Sequence, residues 1–257
     1  MGFSFLGTFI PYYGLFITIG IVCAGSLGFF LCKEINLNPD DFILISAYLV
    51  TFGFVGAKIL YILVSIKQID FSQVFKSLKS FNSFFTSGFV FYGGLLGGFF
   101  ALFFVYKINK IEIDSYLKVL APCISFAHAF GRLGCSFAGC CYGNITELPI
   151  FFEYTKSIVA PNGVKLFPVQ GIESGCLFIL TFILVILILK NHSCKTHLIY
   201  ISAYSVLRFC LEFFRGDELR GRVFFLSTSQ IISLILFLSV LLFIPFQNSI
   251  VKSKNAK

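Results

Sequence analysis

This 257-residue chain reads as an all-α, polytopic membrane protein with about seven transmembrane helices. Three observations predict that class. The residues are 57% hydrophobic and only 12% charged, with a mean hydropathy of +0.90, so too little polar surface exists to cover a soluble fold of this size. Apolar stretches of roughly membrane-spanning length recur from one end to the other. Lipid demands that backbone polar groups be satisfied within each segment, and the alternating pattern of barrel strands is missing, which leaves helices.

The stretches fall near 14–31, 42–66, 88–106, 116–134, 171–189, 197–214 and 224–246. No basic run precedes the first and no small-x-small cleavage site follows it cleanly, so it is expected as a retained helix rather than a signal peptide. The second carries Lys58. The third is expected to be broken by Gly93, Gly94, Gly97 and Gly98 in FYGGLLGG, where small residues also suit close helix approach, the plain alternative to a ligand contact. The fourth holds Lys118, Pro122, His128 and Arg132, and the fifth contains the clean run GCLFILTFILVILIL, expected to face lipid. The longest connections are 67–87 and 143–170. The latter, with Asn144, Glu147, Lys156, Pro161 and Asn162, is expected as an extramembrane excursion of a single integral membrane domain over 1–257. No internal repeat or low-complexity tract is visible.

With the N-terminus outside, eight basic residues fall inside (Lys33, Lys107, Lys110, Lys190, Lys195, Lys252, Lys254, Lys257) and eight outside (Lys67, Lys76, Lys79, Lys156, Lys165, Arg215, Arg220, Arg222). Setting aside Arg215, Arg220 and Arg222 as site residues leaves eight against five. The expectation is therefore N-terminus out and C-terminus cytoplasmic. The net charge of +8 suits an anionic membrane surface, with the lipid bilayer as partner and no nucleic acid.

Of nine cysteines, Cys23, Cys32, Cys123, Cys176 and Cys210 lie within spans as small apolar fillers. Cys135, Cys140 and Cys141 cluster just after Arg132. Their spacing lacks the paired C-x-x-C of a structural zinc site, so neither metal nor cofactor is expected. A disulfide from Cys135 to Cys140 or Cys141 stays open if that end faces outside.

The most informative stretch is YSVLRFCLEFFR, where Tyr204, Arg208, Glu212 and Arg215 recur at spacings of four, four and three, on one helical face. Charges inside a bilayer cost several kcal/mol or more unless they face a partner or a watery cavity, so three on one face imply a site. Arg132, in HAFGRLGCSFAGCCYG, marks the partner surface. The plain alternative, a buried Arg208–Glu212 pair holding two helices, leaves Arg132 unexplained.

GRLGCSFAGCCYG, FYGGLLGG before it, FPVQGIES after it and YSVLRFCLEFFRGDE near the end are similar in order and spacing to landmarks of the prolipoprotein diacylglyceryl transferase family, as are PYYG at 11–14 and GAKILY at 56–61. The resemblance spans nearly the whole chain. It implies a seven-helix enzyme of the bacterial cytoplasmic (inner) membrane that moves the diacylglyceryl group of phosphatidylglycerol onto the cysteine of a prolipoprotein signal peptide, releasing glycerol phosphate. It places Arg132 and Arg208 on essential arginine positions, and Tyr13, Tyr204, Glu212, Arg215, Gly143, Gly93 and Gly94 on substrate-binding motif positions. The sequence departs from the pattern at Tyr92, where most members have histidine, at Cys135 for asparagine, at Cys140 for glutamate, and at Lys118 for an acidic residue.

Replacing a phosphate by a thiol at a glycerol carbon requires a thiolate and a stabilised leaving phosphate. Arginine suits the second task, since its guanidinium stays charged and forks onto phosphate oxygens, and Arg132 and Arg208 are expected to converge on one phosphate-sized cavity. Tyr92, His128 and Glu212 are the candidate bases, with His128 one turn before Arg132 and Tyr92 placed to orient the lipid. Two alternatives remain: a relative that binds or transfers a different lipid unit, and a small anion transporter, for which the related halves common in transporters are missing.

Overall fold

The computed structural model describes residues 2–5, 8–86, 88–217, 222–223 and 225–255; Arg220 and Lys257 of the charge balance lie outside them. The chain is mostly helical, and its helices divide between two compact units, residues 36–116 and residues 1–35 with 117–257.

In the unit 36–116, α2 (Pro39–Ser65) starts on Asn38, whose side chain accepts the Asp40 N–H at 3.0 Å, with Pro39 in the first turn. Two short helices, α3 (Phe71–Val74) and α4 (Leu78–Thr86), occupy the connection that sequence reading left without structure. Next comes α5 (Phe91–Phe104), which runs unbroken through its four glycines and then loosens into a π turn, Val105–Asn109. The expected break is absent because those glycines serve approach. A Cβ on Gly93 would strike the Gly56 carbonyl, and one on Gly97 the Phe52 carbonyl, so α2 and α5 meet backbone to backbone. Beside this contact Lys58 donates to the Phe84 carbonyl, and its ammonium lies 3.9 Å from the Phe84 ring centre and 4.7 Å from that of Tyr61.

In the other unit a hairpin of β1 (Gly2–Phe5) and β2 (Thr8–Pro11) leads into α1 (Tyr12–Glu34). There follow α6 (Ile113–Ala138), whose first turn belongs to the unit 36–116, then α7 (Val169–Lys190), α8 (Thr196–Leu211) and α9 (Thr228–Asn255). Pro122 sits inside α6 without ending it. Hydroxyls tie the helices together: Ser174 donates to the Ala129 carbonyl at 2.8 Å, Ser125 to that of Leu177 at 3.0 Å, and Thr196 to that of Lys118 at 2.7 Å. Such bonds hold helices where apolar side chains gain nothing by leaving lipid for protein.

Each predicted apolar stretch contains a helix. Among the described residues four helices, Tyr12–Glu34, Pro39–Ser65, Val169–Lys190 and Thr196–Phe214, are long and apolar enough to cross a membrane, and Thr228–Phe243 is a shorter apolar one. Val22, Phe182 and Leu242 are each more than 60% exposed, the kind of bare apolar surface that lipid, and not water, would cover.

The 143–170 segment is structured. Short strands β3 (Phe152–Glu153) and β4 (Lys165–Leu166) pair antiparallel, over a small core of Tyr154, Ala160 and Leu166. Burial pushes the Tyr154 phenol up to about 12, so it stays protonated and donates to the Ser136 carbonyl at 2.9 Å, tying this layer to the end of α6.

Candidate active site

On α6, His128 and Arg132 lie one turn apart on one face, and Arg132 Nε donates to His128 Nε2 at 3.3 Å. That face meets Glu173, on the second turn of α7, whose side chain is fully buried. Glu173 Oε2 forms an ion pair with Arg132 Nε at 3.0 Å and lies 4.0 Å from Arg208 Nη1; Oε1 accepts the Tyr204 hydroxyl at 3.1 Å and lies 3.9 Å from His128 Nε2. The Tyr204 ring meets the His128 ring edge to face at 4.9 Å. One carboxylate from α7 therefore joins α6 to α8.

The chain of charges continues. Arg208 Nη2 pairs with Glu212 and donates to Ser229 at 3.2 Å, bringing in α9. Glu212 Oε2 lies 3.9 Å from Arg215 Nε, and Arg215 forks onto Asp217 at 2.8 and 2.7 Å. The predicted stripe does not lie on one α-helix to its end. α8 stops at Leu211, Glu212–Phe214 form a 3₁₀ turn and Arg215 is extended, which lets Arg215 turn back toward Glu212.

Arg132, Arg208 and Arg215 are matched by Glu173, Glu212 and Asp217, so the set is neutral as it stands. What it offers an anion is open hydrogen-bond donors. Arg208 Nη1 and Arg215 Nη1 are buried and have no hydrogen-bond partner among the described residues. A buried N–H left unpaired costs about 1–3 kcal/mol, which a phosphate oxygen would relieve.

Backbone, not side chains, sets Arg215. Asn144 N–H bonds to the Phe214 carbonyl at 2.9 Å, Gly216 N–H to that of Tyr142 at 3.0 Å and Phe167 N–H to that of Asn144 at 2.8 Å, weaving three segments together. Gly143 is the crossing point, paired with Arg215, and a Cβ there would strike the Phe167 carbonyl and Val169. Tyr13, at the start of α1 and 45% exposed, lies against Gly134 of α6, within electrostatic reach of Arg132.

Sequence reading thus named Arg132, Arg208, His128, Tyr204, Glu212 and Arg215, and the structure brings them together around Glu173, which it missed. The signal was present, an acid in FPVQGIES at the start of the fifth span, but that motif served only the resemblance and its acid was given no role. Tyr92, Gly93 and Gly94 sit on α5 in the unit 36–116, where Gly93 is committed to the contact with α2 and Tyr92 is 39% exposed. Of the cysteines taken as fillers, Cys32 and Cys123 are buried, whereas Cys210 is exposed. Cys135, Cys140 and Cys141 gather as the paired-motif argument had not indicated, their sulfurs all within 4.8 Å of one another.

A buried alternation of arginines and carboxylates with open guanidinium N–H groups, inside an apolar helical bundle, defines a membrane-embedded protein that handles an anionic group. The family described as prolipoprotein diacylglyceryl transferase matches residues 2–245, and the chain belongs to it. It is 37% identical over 234 residues to a phosphatidylglycerol–prolipoprotein diacylglyceryl transferase of Clostridium tetani, covering 90% of this chain and 91% of the relative. Identity is 35% over 233 residues to the second such enzyme of Clostridium perfringens, covering 90% and 88%. It is 26% over 257 residues to that of Finegoldia magna, covering 98% of each.

Proposed function

We infer that this protein transfers the diacylglyceryl group of phosphatidylglycerol to the cysteine of a prolipoprotein signal peptide at the bacterial inner membrane. The cysteine sulfur attacks the glycerol carbon that bears the phosphate ester. The S–C bond forms as the C–O bond breaks, and glycerol phosphate departs with the bonding pair and a second negative charge. Family membership supports the reaction, and the observation that carries it to this site is the pair of open N–H groups on Arg208 and Arg215.

Arg208 and Arg215 would receive the phosphate oxygens, with Arg132, held by Glu173, completing the cradle. Donors fixed before the reaction stabilise the growing charge without reorganising. His128 would take the thiol proton. Its Nε2 faces Glu173, which would share that proton, although the Arg132 hydrogen bond must first open. Tyr204 and Glu212 position Glu173 and Arg208. Tyr13, Gly143, Gly94 and Tyr92 are assigned to lipid or peptide binding, with Tyr92 orienting the lipid through its hydroxyl.

The same reading has seven helices cross the membrane as one integral domain, N-terminus outside and C-terminus cytoplasmic. The start of α1 lies beside the end of α6 that leads into the 143–170 excursion, which supports a shared outer side for both. Purified protein incubated with phosphatidylglycerol and a lipobox peptide should yield a diacylglyceryl thioether by mass spectrometry. Peptide left unmodified, in a preparation that remains folded, would overturn the reading.

A further inference from the structure

The three-thiol cluster stands beside this site, with Cys141 within reach of Arg132 and Arg215. Cys135 is one turn past Arg132 and buried, and the chain then leaves α6 in a tight reversal at Gly139 and Cys141, whose φ values are +69° and +58°. A positive φ is strained for cysteine, and here it folds Cys141 back toward Cys135. The reversal is braced from several sides. Cys140 N–H bonds to the Cys135 carbonyl at 3.2 Å, buried Gln170 donates to the Cys140 carbonyl at 2.8 Å, and Ser157 donates to the Gly139 carbonyl at 3.2 Å. Cys141 is within electrostatic reach of Arg215 and Arg132.

Three sulfurs within 4.8 Å match what one ion needs, since a zinc–sulfur bond of about 2.3 Å at tetrahedral angles sets sulfurs about 3.8 Å apart. Three protein ligands leave the fourth position open, the arrangement of a reactive rather than a structural zinc. We propose that Cys135, Cys140 and Cys141 bind a thiophilic divalent cation of the zinc class, whose open position takes and activates the incoming cysteine thiol of the substrate peptide.

This rests on the transfer reading above. A free cysteine is mostly protonated at neutral pH, and a thiol that coordinates zinc loses its proton outright. The nearby bases are engaged: Arg132 donates to His128 Nε2, and Glu173 and Glu212 pair with arginines. On coordination the thiol proton passes to water or His128, the sulfur attacks the glycerol carbon, C–O cleavage releases glycerol phosphate, and the neutral thioether leaves the metal. No oxidation state changes. The reversal's bracing places the ligands as outer hydrogen bonds commonly do around metal sites.

The probe is cobalt(II), titrated into reduced, chelator-treated full-length protein in detergent. A thiolate-to-cobalt charge-transfer band should saturate at one equivalent and be displaced by zinc. Each of Cys135→Ser, Cys140→Ser and Cys141→Ser should weaken binding by at least about 10-fold. Zinc should also shield these three thiols of the unmodified protein from maleimide, without shielding the other six, a readout that depends on no variant. Metal-free protein should lose transfer at pH 7, regain it with zinc, and regain part of it at raised pH, where the thiolate forms unaided. A missing band, a band unchanged in the triple variant, or two of the three thiols found joined as a disulfide on isolation would overturn the proposal. So would full transfer by protein that binds cobalt but has been stripped of metal. Metal binding with no transfer under any condition would instead overturn the transfer reading.

Discussion

Replacing Glu173 by glutamine tests the centre of the site most directly. The change keeps the side chain's shape and one acceptor for the Tyr204 hydroxyl, but removes the charge that Arg132 meets at 3.0 Å and Arg208 at 4.0 Å. Glu173 is fully buried and the two arginine side chains are 14% and 7% exposed, so water cannot replace it. Removing one partner of a buried ion pair costs about 3–5 kcal/mol, because the other charge is left uncompensated. If that cost falls on the alignment of Arg132 and Arg208 during reaction, about 3 kcal/mol is roughly a 100-fold loss in kcat/KM. The assay is initial-rate transfer from phosphatidylglycerol to a lipobox peptide, beside thermal unfolding in detergent. Glu173→Asp separates charge from reach: it keeps the negative charge but withdraws it by about one C–C bond, ~1.5 Å. It should recover most of the stability and little of the rate. A Glu173→Gln enzyme with the parent's rate would refute the placement of Glu173 at the heart of the arginine cradle. One that loses stability but keeps kcat would make it a packing residue only.

Arg132→Ala and Arg208→Ala should abolish measurable transfer at normal expression, and lysine at either position should rescue poorly, since it loses the planar fork. Tyr92→Phe should lower the rate modestly and His128→Ala lower it more, with partial recovery above about pH 8.5, where the peptide thiol ionises without help; the reverse ranking would move the base to Tyr92. Gly143→Ala should destabilise the fold by about 1–3 kcal/mol, read as a lowered thermal midpoint, and raise KM for phosphatidylglycerol, because the added methyl meets the Phe167 carbonyl and pushes Arg215 out of register. Gly93→Ala should destabilise by a similar amount through the Gly56 contact, whereas a raised KM at unchanged stability would make Gly93 a ligand contact.

Helices were legible because apolar length in a membrane chain leaves the backbone few choices, and each predicted stretch contains one. Their edges were less so. The break expected at FYGGLLGG failed because glycine weakens an isolated helix, while here α2 supplies the packing that holds it. Arg208 and Glu212 could be paired from their spacing alone, since four residues is a local separation. The contact of Arg132 with Glu173 spans two helices and no local pattern encodes it, so the cost of burying an arginine and the presence of an acid at the start of an apolar span were hints that nothing local could join. The clustering of Cys135, Cys140 and Cys141 was legible in the sequence, but the convergence of all three sulfurs was not, for a related reason. That closeness comes from a left-handed residue at Cys141, and periodicity carries no sign of positive φ.

The balance of charge bears on how such a site accelerates transfer. Three arginines paired with three carboxylates hold no net attraction for the phosphodiester, which carries one negative charge before and after it binds. A site with surplus arginine would hold that ground state tightly, and uniform tightness does not raise kcat. Here the carboxylates fix the guanidiniums in place and the uncommitted N–H groups of Arg208 and Arg215 point the response at charge that grows. As the C–O bond lengthens, the departing phosphate gains its second charge inside a low-dielectric bundle, where fixed donors act most strongly. Removing a carboxylate would therefore do more than loosen the fold. It would strengthen binding of the resting lipid while spoiling the alignment that serves its breakdown, so Glu173 and Glu212 belong to the rate of the reaction as much as to the architecture.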